Sequence, residues 1–529
     1  MWISPAVATS YAFVTAFVLQ QNHDYYDHPC HTIRPRQAAD NRHSRRVKSL
    51  LRADASALEP PSIVVNSPQT TQPPHCDDPR TADSTTLQPT LSSTIVSNQG
   101  QTANFMLYWP SITTFTLLSG WTSEHTQRLK AAVDAVVQRN PILTGRAEKT
   151  SGLFGGRTKV SIQCGKFLVG QHAFVKEFDY GSISRYMPPD SLESLSPKEL
   201  IHFMDQNLSP LVPPAESVIE STQSGNPLFQ IDLITLPAGG YACYAMRLSH
   251  CVGDGVTYYN LMNEINHFFH HPQRQVVDDD DDDVDKHHDP PPLLHWTAPD
   301  IATHEIWPSR YSSVDVQKAY GFPFLLGLLR NVWHMEQRQK KDYLVLSKAK
   351  IEVQKRALVD KTQHGHLSSN DIITAAVYGA NQSSDVFCFS MNMRQLPTSR
   401  HYGLNFHNEV PFSKAEVANN PNAFRTLLKR GYCYDTNQLP VWPFVAGRVG
   451  RLSSLATIQH LIIVDKNNVS SEVIFHGLLT SYADNMPLDA AFITAMNDEY
   501  FLVSHNFREL NANASPLLRD ILANVEGKL

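Results

Sequence analysis

The stretch RLSHCVGDGV, Arg247 to Val256, places a histidine, an aspartate and two glycines where an alternating apolar segment gives way to a helical one. A neutral imidazole takes up a proton near pH 7, the property a general base needs. His250 is therefore a candidate general base. Asp254, four residues on, has two available jobs. It polarises the imidazole directly, as in a triad, or it holds the loop through an ion pair and leaves the histidine to act alone. Gly253 and Gly255 permit the tight backbone that either job needs. The plain alternative is a turn that happens to contain a histidine.

Other chemistries lose weight because their signatures are missing. There is no Gly-x-x-x-x-Gly-Lys-Ser/Thr phosphate loop and no Gly-x-Gly-x-x-Gly dinucleotide turn. Nor is there a Gly-x-Ser-x-Gly nucleophile elbow or a His-Glu-x-x-His zinc helix. The seven cysteines, at 30, 76, 164, 243, 251, 388 and 433, are odd in number and form no Cys-x-x-Cys pair. That argues against a disulfide framework or a structural zinc site and fits a reduced, intracellular setting. The cluster His28, Cys30, His31 lacks a second ligand pair. A net charge of -6 without basic stripes excludes a general nucleic-acid binder.

The elements that must position His250 are legible around it. PLFQIDLITLPAGGYACYAMRLS reads as two strands: Phe229, Ile231, Leu233 and Thr235 alternate with their neighbours, and Pro237 to Gly240 supplies the turn. VTYYNLMNEINHFFHH reads as a helix with Tyr258, Leu261, Met262, Ile265 and Phe268 or Phe269 on its apolar side. His250 thus sits on a strand-to-helix junction. Upstream, SEHTQRLKAAVDAVVQRNPILTGRAE is the clearest helix, with Ser123 as the expected N-cap and Pro141 as its end. In the second half, YLVLSKAKI and DVFCFSMNM read as strands and SSNDIITAAVYGA as a helix capped by Ser368 or Ser369. YFLVSHNF reads as a late strand and SPLLRDILANV as a closing helix.

The length of 529 residues suffices for one large domain or two to three ordinary ones. Residues 1–101 read as an N-terminal extension. Its first twenty residues, MWISPAVATSYAFVTAFVLQ, carry no charge and are either a targeting or anchor segment or a mobile extension. The remainder, rich in Ser, Thr, Pro, Gln and Asp, buries too little apolar surface to offset its ordering entropy. Residues 271–295, with a run of aspartates followed by three prolines, read as a crossover linker between lobes 102–270 and 296–529. The aspartate run lacks the spaced ligands of a calcium loop. Strands and helices interleave in both halves, so the expected fold class is α/β, with mixed sheets in two lobes.

The His-x-x-x-Asp-Gly stretch resembles the signature of the acyl-CoA-dependent acyltransferases with a chloramphenicol-acetyltransferase-like fold. That superfamily includes the BAHD enzymes, the wax-ester synthases and the condensation domains of peptide synthetases. Four further stretches are similar to the superfamily's segments in the same order: NPILTGR, LSSNDIITAAVYGA, MNMRQLP followed by YGLNFHNEV, and LLTSYADNMPLDAAF. The resemblance covers about Asn104 to Val525. AAFITAM stands where BAHD enzymes carry Asp-Phe-Gly-Trp-Gly, Tyr482 where tryptophan is usual, and Ser249 where wax-ester synthases have a second histidine. The placement is therefore a divergent branch.

The resemblance implies two lobes around a central tunnel, with acceptor and acyl thioester reaching His250 from opposite ends. It implies a supporting pair between Asp254 and Arg394, a supporting Gly255, and Asn408 (or Asn405) in the Gly-Asn segment. Ser481 is either an oxyanion or substrate-orienting donor or a loop cap. No cofactor or metal is implied; acyl-CoA is a co-substrate, the acceptor is a small molecule with a hydroxyl or amine, and a monomer suffices. A carrier-protein thioester as donor, or a non-catalytic acyl-ligand-binding protein, are the competing readings. The expected location is cytoplasmic, or membrane-associated or organellar through residues 1–20.

Overall fold

The structure is a computed structural model. It describes residues 111–150, 159–164, 173–183, 191–214, 216–236, 240–271, 294, 296, 322–334, 341–359, 366–392, 394, 403, 407–429, 439–456, 472–479 and 488–523. The described residues belong to one compact unit. Residues 21–87, the N-terminal twenty residues, the His28–Cys30–His31 cluster and the aspartate run lie outside them. Among the described residues no helix is long and apolar enough to cross a membrane.

Two mixed sheets carry the fold. The first runs β11-β1-β6-β5-β4 and the second β7-β13-β12-β10-β8-β9, with β2 (Gly145–Thr150) and β3 (Lys159–Cys164) as a separate hairpin. In the first sheet β1 (Ile112–Leu118), β5 (Phe229–Thr235) and β6 (Ala242–Leu248) are antiparallel neighbours, and β4 (Val175–Asp179) joins β5 in parallel. In the second, β8 (Val386–Asn392), β10 (Val449–Ser454) and β12 (Asp489–Ala495) are parallel. The antiparallel strands β7 (Asp342–Ser347), β13 (Tyr500–His505) and β9 (His407–Ser413) complete it. The α/β class with two mixed sheets is as the alternation of patterns predicts.

Helix α1 (Ser123–Arg139) packs on α2 (Gly255–His270) over one face of the first sheet, burying Leu129, Val133, Val136, Tyr258, Leu261 and Ile265 in one core. The cap of α1 is Thr122, one residue before the expected Ser123: its Oγ1 accepts from the His125 N–H and its own N–H donates to His125 Nδ1. The sequence offers two adjacent hydroxyl residues, and the one with extended backbone takes the role. YLVLSKAKI divides in two: β7 ends at Ser347 and α4 (Lys348–Val359) begins at once, α3 being Phe322–His334. Lys348 to Ile351 have no alternating pattern to hold them in a ladder, whereas Lys and Ala favour helix. The helix α5 (Ser369–Ala380) is capped by Ser368, with Asp371 closing the capping box.

Strand β11 (Val473–Gly477) comes from the second half of the chain yet pairs with β1 of the first sheet. The first sheet is thus not built from the first half alone. His476 on β11 is fully buried between Thr116 Oγ1, 2.8 Å from its Nδ1, and Tyr259 Oη of α2, 3.0 Å from its Nε2. A neutral imidazole has one donor and one acceptor, so one hydroxyl donates and the other accepts. Burial pushes His476 down to about 3 and His505, on β13, down to about 4.

A pH dependence follows from these two histidines. Their folded pKa values lie below the unfolded value of 6.5, so the unfolded chain binds more protons as the pH falls below 6.5. The stabilisation is full above pH 6.5 and drains away toward pH 3 to 4. Each histidine contributes a slope of about 1.4 kcal/mol per pH unit inside that window. His476→Gln is expected to show a shallower fall of unfolding free energy between pH 6.5 and 4.5 than wild type, by about one histidine's share. Urea titrations across that range measure it, and identical slopes would assign the pH dependence to other groups.

Candidate active site

The histidine loop is shaped by a turn around Ser249. The Ser249 N–H donates to Leu228 O at 2.8 Å, and Ser249 O accepts from Val252 N at 2.9 Å and Gly253 N at 3.3 Å. His250 leaves the end of β6 and lies buried, 8% exposed. Cys251 beside it is inert as a nucleophile: burial pushes its thiol up to about 12, and its Sγ lies 3.2 Å from Ser249 Oγ.

Asp254 ends the loop and starts α2. Its Oδ1 accepts from the Thr257 N–H at 3.0 Å, the N-cap bond of the helix. Its Oδ2 accepts from Arg394 Nη1 at 2.8 Å, with the two side chains only 4% and 1% exposed. The other arm of the guanidinium, Nη2, donates to Thr257 Oγ1 at 3.0 Å. Both carboxylate oxygens thus take part in holding the loop. Arg394 lies 140 positions away along the chain, beyond the end of β8, so the second sheet holds the loop that the first sheet presents.

Two residues of this assembly escape sequence reasoning. Thr257 is bonded by both Asp254 and Arg394. Its position three residues after Asp254 is the place where an N-cap aspartate finds its partner, a local signal that points to the backbone bond and not to the hydroxyl. Asn392, two residues before Arg394, accepts from the Arg394 N–H at 3.0 Å and Nη1 at 3.3 Å through its Oδ1, fixing the arginine from behind.

Neither Gly253 nor Gly255 has a left-handed backbone. Gly255 opens α2. Gly253 is glycine because of close approach: a Cβ there would lie 2.4 Å from Thr257 Cγ2 and 2.5 Å from Thr257 Cβ. Gly253→Ala is expected to destabilise the protein by about 1–3 kcal/mol, the usual range for overpacking. Gly253→Ala/Thr257→Ser recovers only part, because Thr257 Cβ remains. Denaturant unfolding checks both, and a single variant as stable as wild type would show that the loop yields freely.

Asn408 is in β9, paired with Met391 of β8; its side chain is outside the described set. Asn405 and Ser481 lie outside the described residues. In NPILTGR, Asn140 caps α1 and ties it to α2, its Nδ2 donating to Glu264 Oε2 at 2.8 Å and its Oδ1 accepting from Trp296 Nε1 at 3.0 Å. Burial raises the Glu264 carboxyl against the pull of Arg139. In the helix α5, Asp371 pairs with Arg425 Nη2 at 2.6 Å, within the second half. These two segments brace the fold. Among the described residues no cluster of His, Cys, Asp and Glu is arranged to hold a metal.

No known family profile matches the sequence, and no curated protein is similar to it. Solved structures are. One is F. sporotrichioides TRI101 complexed with coenzyme A and T-2, at 11% identity over 82% of this chain and 99% of that one, with a TM-score of 0.47. Another is F. graminearum TRI101 complexed with coenzyme A and deoxynivalenol, at 12% identity over 79% and 95%, with a TM-score of 0.49. A third is the first condensation domain of the CDA synthetase, at 13% identity over 78% and 89%, with a TM-score of 0.45.

Proposed function

We propose that this chain is an acyltransferase that moves an acyl group from acyl-CoA to a hydroxyl or amine of a small-molecule acceptor, with His250 as general base. The observation that carries the reading is the loop itself. A buried histidine on a strand-to-helix turn is held by an Asp254–Arg394–Thr257 lock drawn from both halves of the chain.

In the proposed step His250 takes the acceptor proton as the oxygen or nitrogen attacks the thioester carbonyl. A bond from acceptor to carbonyl carbon forms, and the carbonyl becomes a tetrahedral oxyanion. Ser481 is the candidate donor to it. Collapse breaks the carbon–sulfur bond, and the imidazolium returns its proton to the departing CoA thiolate. The thioester arrives activated, so the step asks for no further cofactor. Asp254 and Arg394 come from one chain, so a monomer suffices.

The test is thiol release by the wild-type protein from a panel of acyl-CoAs, with and without alcohol and amine acceptors. Release that saturates in both donor and acceptor supports transfer. Equal release with and without acceptor means thioester hydrolysis, and no release rejects an acyl-CoA donor.

A further inference from the structure

The helix that follows the histidine loop is tied back to the strand that precedes it. Tyr258 lies in α2, one residue beyond Thr257, and is fully buried in the core that α2 shares with the first sheet. Its Oη donates to Met246 O of β6 at 2.9 Å, 12 positions back along the chain. A phenol has one proton and a carbonyl only accepts, so the proton goes there. Thr114 Oγ1, 2.7 Å from the same Oη, is then the donor in that contact, and the Thr114 N–H also donates to Oη at 3.2 Å. Thr114 of β1 and Met246 of β6 are register partners. One buried oxygen therefore joins β1, β6 and α2.

The Tyr258–Met246 bond closes a ring around His250. Strand β6 ends at Leu248 and α2 begins at Gly255, so His250 and the turn at Ser249 lie inside that ring. The Asp254–Arg394 pair sets the start of α2 against the second sheet. The Tyr258 bond sets the next turn of the helix against the strand from which His250 emerges. A loop held on one side only is free to swing about that side, whereas two anchors fix it. Phenylalanine would bury the same ring, and a buried hydroxyl costs stability unless it is bonded. The neighbouring Tyr259 offers a contrast: it is as deeply buried, but its hydroxyl meets His476 Nε2 of β11 at 3.0 Å, away from the strand that carries His250.

We propose that Tyr258 is a positioning residue for His250. Its hydroxyl cross-links the strand before the loop to the helix after it and so holds the imidazole where the acceptor proton is to be taken. It acts through the loop and not on the substrate. The role rests on the acyl-transfer reading and adds a residue to it.

Tyr258→Phe removes only the oxygen. It is expected to lower kcat for acceptor-dependent CoA release by about 10–100-fold, the effect of a small misplacement of a reacting group. KM for the acyl-CoA should stay close to wild type, since the loss falls on the transition state. Tyr259→Phe removes a hydroxyl of equal burial from the adjacent residue and is expected to leave kcat near wild type. A merely structural loss of a buried hydrogen bond would act alike in the two variants. Thr114→Val, which removes one of the three bonds, is expected to lower kcat by a smaller factor and carries the test if Tyr258→Phe fails to fold. Amide exchange across Val252 and Gly253, read by mass spectrometry on the full chain, needs no turnover. It is expected to rise about tenfold in Tyr258→Phe and to stay at the wild-type rate in Tyr259→Phe. Equal kcat in wild type and Tyr258→Phe, or equal losses in the two tyrosine variants, would overturn the positioning role. Unchanged exchange in Tyr258→Phe beside an active wild type would overturn it too. Absence of CoA release from wild type would overturn the transfer reading and this role with it, a result distinct from an active wild type matched by its Tyr258→Phe variant.

Discussion

His250→Ala is expected to lower acceptor-dependent CoA release by about 10²–10⁴-fold, the usual contribution of a positioned general base. On the proposed reaction the acceptor hydroxyl must lose its proton as it attacks, and His250 is the group of the loop suited to take it near pH 7. Burial holds the Cys251 thiol protonated. The loss should fall on kcat more than on KM for the acyl-CoA, because the base acts in the transition state. Steady-state thiol release on a variant with wild-type circular dichroism measures it. Release within a few-fold of wild type would remove His250 from the chemistry.

Arg394→Met is expected to destabilise the protein by about 3–5 kcal/mol, because it leaves the Asp254 carboxylate buried without its counter-charge. Against a usual stability of about 5–15 kcal/mol, that is a large share of the whole. Arg394→Lys should rescue only part, since an ammonium does not span Asp254 Oδ2 and Thr257 Oγ1 as the planar fork does. Adding Asp254→Asn, which keeps the helix cap, should make the double variant more stable than the sum of the singles predicts. Urea unfolding of the four proteins gives the coupling. A loss below about 1 kcal/mol for Arg394→Met would mean that the pair is solvated and weak.

The local parts of the fold were legible because their signals are local. The apolar periodicity of α1 and α2, the alternation of β5, and the Ser368–Asp371 capping box each lie within one element. The errors were local as well: the cap of α1 moved by one residue, and a strand pattern ran on into α4, where propensity changes without a turn residue to mark it. Strand β11 could not be assigned to its sheet from sequence. Its partner β1 lies more than 350 residues earlier, and alternation says which face is buried, never which strand lies alongside.

The amino-acid sequence by itself determined the strand, the turn and the helix around His250, since hydrophobic period and turn residues act over a few positions. It also supplied Asp254 and Arg394 as candidate partners, by resemblance. Only the tertiary structure shows what Asp254 holds: a guanidinium 140 residues away and the first turn of its own helix. The same holds for Thr257 and Asn392. Hydroxyls and amides carry no periodic signal, and their roles arise only when packing takes water away and leaves each one to find a partner.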